Sequence, residues 1–451
     1  MKRDRKPGLR ERRGFLPFAI ALVAVFSPAF AAVPLTIDEA ESRALDANPK
    51  LVAASFEAVA AEQRTSQTRA RHFGQLDLVG SYNNYESPRL VRPISIDQFT
   101  NPAAGFSQLP WAADQVHYGV AWLIPLLDSG SLHEGDRIAK LAQSAAQHMS
   151  LFTRDEVRYN VRAAYRNALM VRHAHSAAET LRDALAKDDT DAQLKVKLGA
   201  LAPVDAAKVT FALRGAEAQV ADLQAQARTA QAILAALIGE DLPSESYALT
   251  DIPDVPPPLL PGQDDVEDVG KRRLDLVATR ENTEVFERKK KLAGEAFGPR
   301  LWVEANFLRN TGSSIAEPLD THEISLWFRL PLFDGMRRVH ERREANENLA
   351  AAQQRERGKE LEVATQVVDA RGRLDAAQAQ LRAGEAQREL GRQVARVEHL
   401  KLEQGAGRIE DYLAARAQEL ARETAYWRGL YATQSAADYL SFVQGKGAES
   451  W

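Results

Sequence analysis

The chain has 451 residues, with 58 basic and 62 acidic side chains and no cysteine. The absence of cysteine excludes disulfides, thiolate metal sites, a cysteine nucleophile and a lipid-modified N-terminal cysteine. The formal net charge of −4 is the wrong sign for a nucleic-acid binder, whose phosphate contacts need clustered cations.

Residues 1–31 show the three zones of an export signal. Lys2, Arg3, Arg5, Lys6, Arg10, Arg12 and Arg13 form a basic region, residues 15–26 are apolar, and Ala29-Phe30-Ala31 is a small-x-small cleavage site. The apolar run is shorter than the roughly 20 residues a spanning helix needs. Cleavage after Ala31 removes seven basic and two acidic residues, which leaves 51 and 60 and a net of −9. No later stretch approaches 18 uninterrupted apolar residues, so a form of the chain that lives in a membrane has to be a barrel.

Beyond the signal the chain is internally duplicated. Pro125-Leu126-Leu127-Asp128 returns as Pro331-Leu332-Phe333-Asp334, and residues 199–205 return as 405–411; 331 − 125 and 405 − 199 both give 206. Earlier in each half, residues 76–80 correspond to 301–305 at an offset of 225, so the first copy carries 19 extra residues between Gly80 and Pro125. The first repeat spans 32–242 and the second 263–445, and each reads as helix, strand, loop, strand, very long helix, turn, helix.

In the first repeat a helix is expected over about 38–72. It opens with Thr36 and, three residues later, Glu39, the pattern of a capping box. Strands are expected over 75–84 and 115–124. In the second of these Val116, Tyr118, Val120, Trp122 and Ile124 alternate with His117, Gly119 and Ala121. The long helix is expected over 131–198 and a shorter one over 206–238. Val209, Leu213, Ala216, Val220, Leu223, Ala227, Ala230, Leu234 and Leu237 step by fours and threes along the shorter helix, which is a coiled-coil seam.

Residues 243–262 hold a run of prolines, which cannot be helical and suits an extended connector on the outside of the molecule. In the second repeat the first helix is expected over about 264–297, ended by Gly298-Pro299. Strands are expected next over 300–308 and 321–330, where Ile324, Leu326, Phe328 and Leu330 oppose Glu323, Ser325 and Arg329. A long helix over 336–403, a helix over 410–443 and a tail over 446–451 complete the chain. The last helix carries a looser stripe of Leu413, Ala417, Leu420, Thr424, Trp427 and Tyr431. At 1.5 Å per residue each long helix is a rod of roughly 100 Å. Two half-length helices stacked end to end match it.

Period two alone fits a soluble hairpin with one buried face equally well. Strands of about ten residues and nearby aromatics, Tyr82, Tyr85, Trp111, Phe307 and Trp327 among them, favour a membrane. On that reading Val116, Tyr118, Val120, Trp122, Ile324, Leu326 and Phe328 face lipid. The segments over about 86–113 and 309–320 are polar loops rich in Pro, Asn, Ser and Gly.

Strand pairs feeding long helices, duplicated behind an export signal, resemble the TolC family of bacterial outer-membrane efflux channels. The resemblance runs from Leu35 to about Gly445 and is carried by the Pro-Leu-x-Asp entries to the long helices and by the two turns. These are Gly199, Ala200, Pro203, Val204 and Asp205, and Gly405, Gly407, Arg408, Glu410, Asp411, Tyr412, Leu413 and Ala414. It implies a homotrimer in which each chain gives four strands to one membrane β-barrel of twelve, with the helices forming a periplasmic α-helical barrel. Four strands alone cannot close a barrel, and an open edge in lipid is prohibitive.

The resemblance further implies a passive conduit with no cofactor, docked to a periplasmic adaptor (membrane fusion protein) and an inner-membrane transporter, serving small-molecule efflux or type I protein secretion. It places adaptor docking at the tips formed by Gly199, Ala200, Asp205, Gly405, Gly407 and Arg408. It places the entrance at Asp411 and Glu410, where three copies of Asp411 would make a cation-favouring carboxylate ring. Both Asp205 and Asp411 also read as N-cap or first-turn acids. Ala414 stands where relatives often have a second acid, and Ala200 where many have leucine.

His173 and His175 are too far apart around a helix to share a metal and read as solvated surface. No nucleophile has a base beside it, so the chain does not read as an enzyme. The alternative from another class is a soluble periplasmic coiled-coil adaptor or scaffold with a small buried hairpin domain and no pore.

Overall fold

The computed structural model describes residues 33–93, 109–240, 247–252 and 266–446. The export signal, most of the proline-rich connector and the tail beyond Lys446 lie outside the described residues. In chain order the elements are β1 (Val33–Leu35), α1 (Ile37–Ala47), α2 (Pro49–Ala70), β2 (Gln75–Leu90), β3 (Trp111–Asp128), α3 (Ser131–Lys197) and α4 (Pro203–Ile238). Then come β4 (Tyr247–Leu249), α5 (Val266–Arg272), α6 (Leu274–Glu295), β5 (Arg300–Gly312), β6 (Leu319–Arg329), α7 (Arg337–Glu403) and α8 (Ile409–Val443).

The duplication is written into the backbone. Left-handed residues occur at Ser129, Gly130, Gly199 and Gly239, and again at Gly335, Met336, Gly405 and Gly445. Each pair is 206 apart, and α3 and α7, both of 67 residues, begin 206 apart as well. Gly199 and Gly405 end their long helices in the left-handed conformation, which glycine adopts without the Cβ penalty.

Both predicted first helices are in fact broken. Asn48 is extended, with φ −63° and ψ 120°, because proline at 49 disfavours the helical region for the residue before it. Its side chain then caps α2 by accepting from the Lys50 and Leu51 amides. The second copy breaks at Arg273, 225 residues on, without a proline. There buried Arg273 donates to buried Asp275 through Nε and to the Val443 carbonyl through Nη1.

α3 packs against α2 and α6 near the strands and against α4 and α8 farther away, while α7 packs against α6 and α8. The helical layer therefore runs α2/α4, α3, α6/α8, α7, with α2/α4 and α7 as open edges. Every residue of the predicted α4 seam is buried or half-buried. Of the α8 stripe only Ala417 is exposed; Leu420 and Tyr431 are buried, Leu413, Thr424 and Trp427 half-buried, and Tyr412, Ala415, Tyr426 and Leu430 outside the stripe are buried as well. Beyond Gly429, α8 is covered by both α3 and α7 and is buried nearly all round, so a single stripe no longer describes it.

At mid-length, β1 pairs in parallel with β4, a short extended piece of the connector. Tyr165 of α3, buried among Leu35, Leu169, Leu234 and Ile238, ties this pair to the rod. Its hydroxyl lies 2.6 Å from the Leu35 carbonyl and accepts from the Thr250 amide at 2.9 Å.

His173 is not a solvated residue. Its ring stacks on Trp427 of α8, with centroids 3.8 Å apart, and Nε2 lies 3.0 Å from Asp251. His175 is half-buried and faces Glu179. Among the described residues no cluster of His, Asp or Glu could hold a metal.

Candidate functional site: the sheet and the helix tips

The four long strands form one antiparallel sheet in the order β2-β3-β5-β6. They run to 16, 18, 13 and 11 residues, longer than the expected ten in most cases, because the hairpins stay paired beyond any apolar band. β2 reaches Leu90 and β5 reaches Gly312, so the predicted loops are partly strand.

The register sorts the side chains by face. Leu76, Leu78 and Tyr82 lie opposite Trp122, Val120 and Val116; these in turn lie opposite Ala305, Phe307 and Thr311, and Ala305 and Phe307 lie opposite Ile324 and His322. Val303 and Leu301 extend the same face to Leu326 and Phe328. All seven residues read from sequence as lipid-facing (Val116, Tyr118, Val120, Trp122, Ile324, Leu326 and Phe328) share this face, and all are exposed.

The other face carries Asp77, Ser81, His117, Glu304, Asn306, Asn310, Thr321, Glu323 and Ser325. His117 Nδ1 lies 2.7 Å from Asn310 Oδ1, and Asn310 Nδ2 donates to Thr321 Oγ1 at 3.0 Å. Trp327, grouped with the membrane aromatics in the sequence, belongs to this polar face, where it stacks on Trp302. A sheet apolar on one side and polar on the other, with both edge strands β2 and β6 unpaired, is a segment of barrel wall. No described helix is long and apolar enough to cross a membrane.

At the far end the two turns come together. Neither acid is an N-cap: Ala202 and Arg408 hold those positions, with Asp205 and Asp411 in the first turns of α4 and α8. Lys208 Nζ lies 2.8 Å from Asp205 and 2.6 Å from Glu410, so one ammonium bridges the two hairpins. The Lys208 hydrogen bond holds the Glu410 carboxyl below its ordinary value of 4.5. Arg408 reaches the same carboxylate at 3.7 Å. Asp411 is exposed and has no ionic partner among the described residues. Gly199, Ala200, Gly405 and Gly407 form the bends themselves.

Sequence reasoning missed the second tie. Buried Tyr412 donates to Asp188 of α3 at 2.6 Å and accepts from Arg416 at 3.1 Å. Burial, and then Asp188, push its phenol up to about 12. A signal was available, since the duplication places Ala206 where the second copy has Tyr412 (412 − 206 = 206). Val204, Ala207 and Phe211 of α4 and Leu413 and Ala414 of α8 line a shallow apolar groove beside these ties, and Phe211 is 83% exposed.

Residues 266–446 match the family model described as outer membrane efflux protein. That match covers the second repeat alone, which is similar to the family. Solved structures carry the same fold over nearly the whole length. The CmeC outer membrane channel of Campylobacter jejuni is 16% identical, covers 98% of this chain and 94% of its own, and superposes with a TM-score of 0.76. The outer membrane protein VceC of Vibrio cholerae is 17% identical, with 91% and 96% covered and a TM-score of 0.72. The open-state MtrE outer membrane channel of Neisseria gonorrhoeae is 15% identical, with 91% and 89% covered and a TM-score of 0.70. Among curated proteins none matches significantly. These likenesses show that the chain has the fold of outer membrane channels over nearly its whole length.

Proposed function

We propose that the protein works as a homotrimeric conduit, docked through its helix tips to a periplasmic adaptor and an inner-membrane pump. The observation that carries this is the four-stranded sheet with an apolar face, a polar face and two open edges. Unpaired backbone groups in lipid each cost several kcal/mol, and cyclic repetition supplies the missing neighbours. Three copies give twelve strands.

The helical layer supports the same assembly. Its open edges expose apolar side chains: Phe56 and Val59 of α2 and Ile233 of α4 on one side, Leu361, Val368, Leu390 and Val397 of α7 on the other. A heterologous contact joins these two edges around the ring. The seven exposed strand residues then face lipid, and Asp77, Glu304 and Glu323 face the lumen.

At the tips, Asp411 and Glu410 line the entrance, and adaptor docking uses the bends at Gly199, Ala200, Asp205, Gly405, Gly407 and Arg408 with the adjoining apolar groove. The Lys208–Glu410 and Tyr412–Asp188 ties hold the entrance narrow, because each joins elements that separate when the tips spread. In this reading the energy and the choice of cargo come from the pump.

Single-channel conductance of the purified protein in a planar bilayer tests this, with cation selectivity compared between wild type and Asp411→Ala. A steady pore with reduced selectivity in the variant is expected. A pore indifferent to the substitution removes Asp411 from the entrance, and failure to insert overturns the conduit.

A further inference from the structure

The junction between strands and helices differs in charge from the rest of the chain. Residues 64–73, 131–140, 284–299 and 331–347 hold 13 Lys and Arg against 9 Asp and Glu, a net of +4 within a chain of net −4. Ion pairing does not consume this excess. Glu134 takes Lys291, Arg288 and Arg137, and Asp334 takes Arg337 and Arg338. Arg64, Arg69, Arg71, Lys140, Lys289, Lys290, Arg342 and Arg343 have no ionic partner among the described residues, and all are exposed. Only Glu287, Glu344 and Glu347 are comparably unpaired acids there.

The cations lie on both faces of the layer. Arg64, Arg71 and Lys289 border one groove, floored by Gly135, Ala139, Ala142 and Ala146 of α3. Arg69 and Lys290 are turned away from that groove by their positions on the same helices, since neighbouring positions along a helix do not share a face. Whichever face is outward therefore presents unpaired cations within the last turns before the strands. Arg71 is four residues from the start of β2, and Lys289 is six residues from the end of α6, about 9 Å.

Directly on the strand side of these cations are large apolar side chains in the open: Phe73 at 78%, Leu332 at 87% and Phe333 at 81% exposure. Apolar groups at the edge of the hydrocarbon with Lys and Arg one or two turns beyond are the arrangement of a membrane interface, where long basic side chains reach the headgroups. Headgroup regions are about 5–7 Å thick on each side of the hydrocarbon core, and long Lys and Arg side chains starting about 9 Å away extend toward them.

We propose that this basic collar seats anionic phospholipid headgroups of the leaflet that meets the helices. The inference rests on the barrel reading under Proposed function, in which the sheet's apolar face defines the depth of the membrane.

The test reconstitutes the full-length protein in nanodiscs of phosphatidylcholine with a minor fraction of spin-labelled phosphatidylglycerol or, in the other arm, spin-labelled phosphatidylcholine. Two variant sets, Arg64→Gln/Arg71→Gln/Lys289→Gln and Arg69→Gln/Lys290→Gln, separate the faces. Wild type should enrich phosphatidylglycerol several-fold over phosphatidylcholine at low salt and lose the preference at high salt. One set should bring the ratio below about half of wild type while the other leaves it unchanged. Equal retention of both lipids by wild type overturns the proposal, as does a preference that neither set reduces. Dissociation of the trimer by either set with the lipid ratio intact also overturns it, because the cations then serve pairs between protomers. Conductance measured on the same preparations separates the two levels: a protein without a pore fails the barrel reading itself, whereas a pore without lipid preference fails only this inference.

Discussion

Replacing Tyr165 by Phe isolates one hydroxyl that joins the β1–β4 pair to the long helix. The oxygen accepts from the Thr250 amide at 2.9 Å, and its single proton serves the Leu35 carbonyl at 2.6 Å or the Thr250 carbonyl at 2.8 Å. A buried amide left without any acceptor would cost about 1–3 kcal/mol. That full penalty does not apply here, because the Thr250 amide also reaches the Leu35 carbonyl at 3.0 Å. The loss reduces to roughly one ordinary hydrogen bond with a small void, about 1–1.5 kcal/mol. Removing the ring with Tyr165→Ala opens the centre of the core and should cost about 3–5 kcal/mol. Amide hydrogen exchange over residues 247–252 reads both. If this segment opens locally, Tyr165→Phe should speed exchange of the Thr250 amide about tenfold, since 1.4 kcal/mol is a factor of ten. The remote α7 amides should be unchanged. Exchange equal to wild type, or equal to that of Tyr165→Ala, would refute the reasoning.

Asn48→Ala removes the cap of α2 and the Nδ2 bond to the Leu237 carbonyl at 2.7 Å. A loss of about 1–2 kcal/mol is expected, visible as a lower melting temperature of the detergent-solubilised protein. Glu134 is 1% exposed; burial opposes its charge, but Lys291 and Arg288 outweigh burial and hold its carboxyl below 4.5. A depressed native value stabilises the fold above the unfolded value and is lost as pH falls through the native one. Glu134→Gln should therefore cost about 1–3 kcal/mol at pH 7, less than a fully buried pair because Lys291 is 55% exposed. The gap should close in acid, and a pH-independent gap in melting temperature would count against it. The Lys208–Glu410 bridge has the same sign: it persists at pH values below 4.5 and is lost as Glu410 protonates. A spin or fluorophore pair across the two tips should show the distance widening only there, and widening already at pH 6 would contradict the assignment.

The sequence by itself determined whatever repeats along the chain. Proline-free runs of strong helix formers specify 67-residue rods whatever surrounds them, and the α4 seam, set by spacing alone, is the face that packs. Alternation in β3 and β6 names the shared face of the sheet, because side chains on a strand can only alternate. The break at Asn48-Pro49 was legible too, once the restriction before proline is applied.

Tertiary structure decided the rest, where contact partners lie far apart in sequence. Arg273 breaks its helix without a proline because Asp275 and the Val443 carbonyl, 170 residues away, satisfy its guanidinium in the interior. Trp327 moved to the polar face because β5 brings Trp302 beside it. The solvated reading of His173 failed because α8 lays Trp427 against it. At the tips, first-turn acids look alike in sequence. Only the folding of two hairpins side by side gives Glu410 a lysine from the other repeat and leaves Asp411 with none among the described residues. Local periodicity fixes which way a side chain points from its own element, but the energy of a charge or an aromatic ring depends on what stands opposite, and that is set by chain crossings no local pattern encodes.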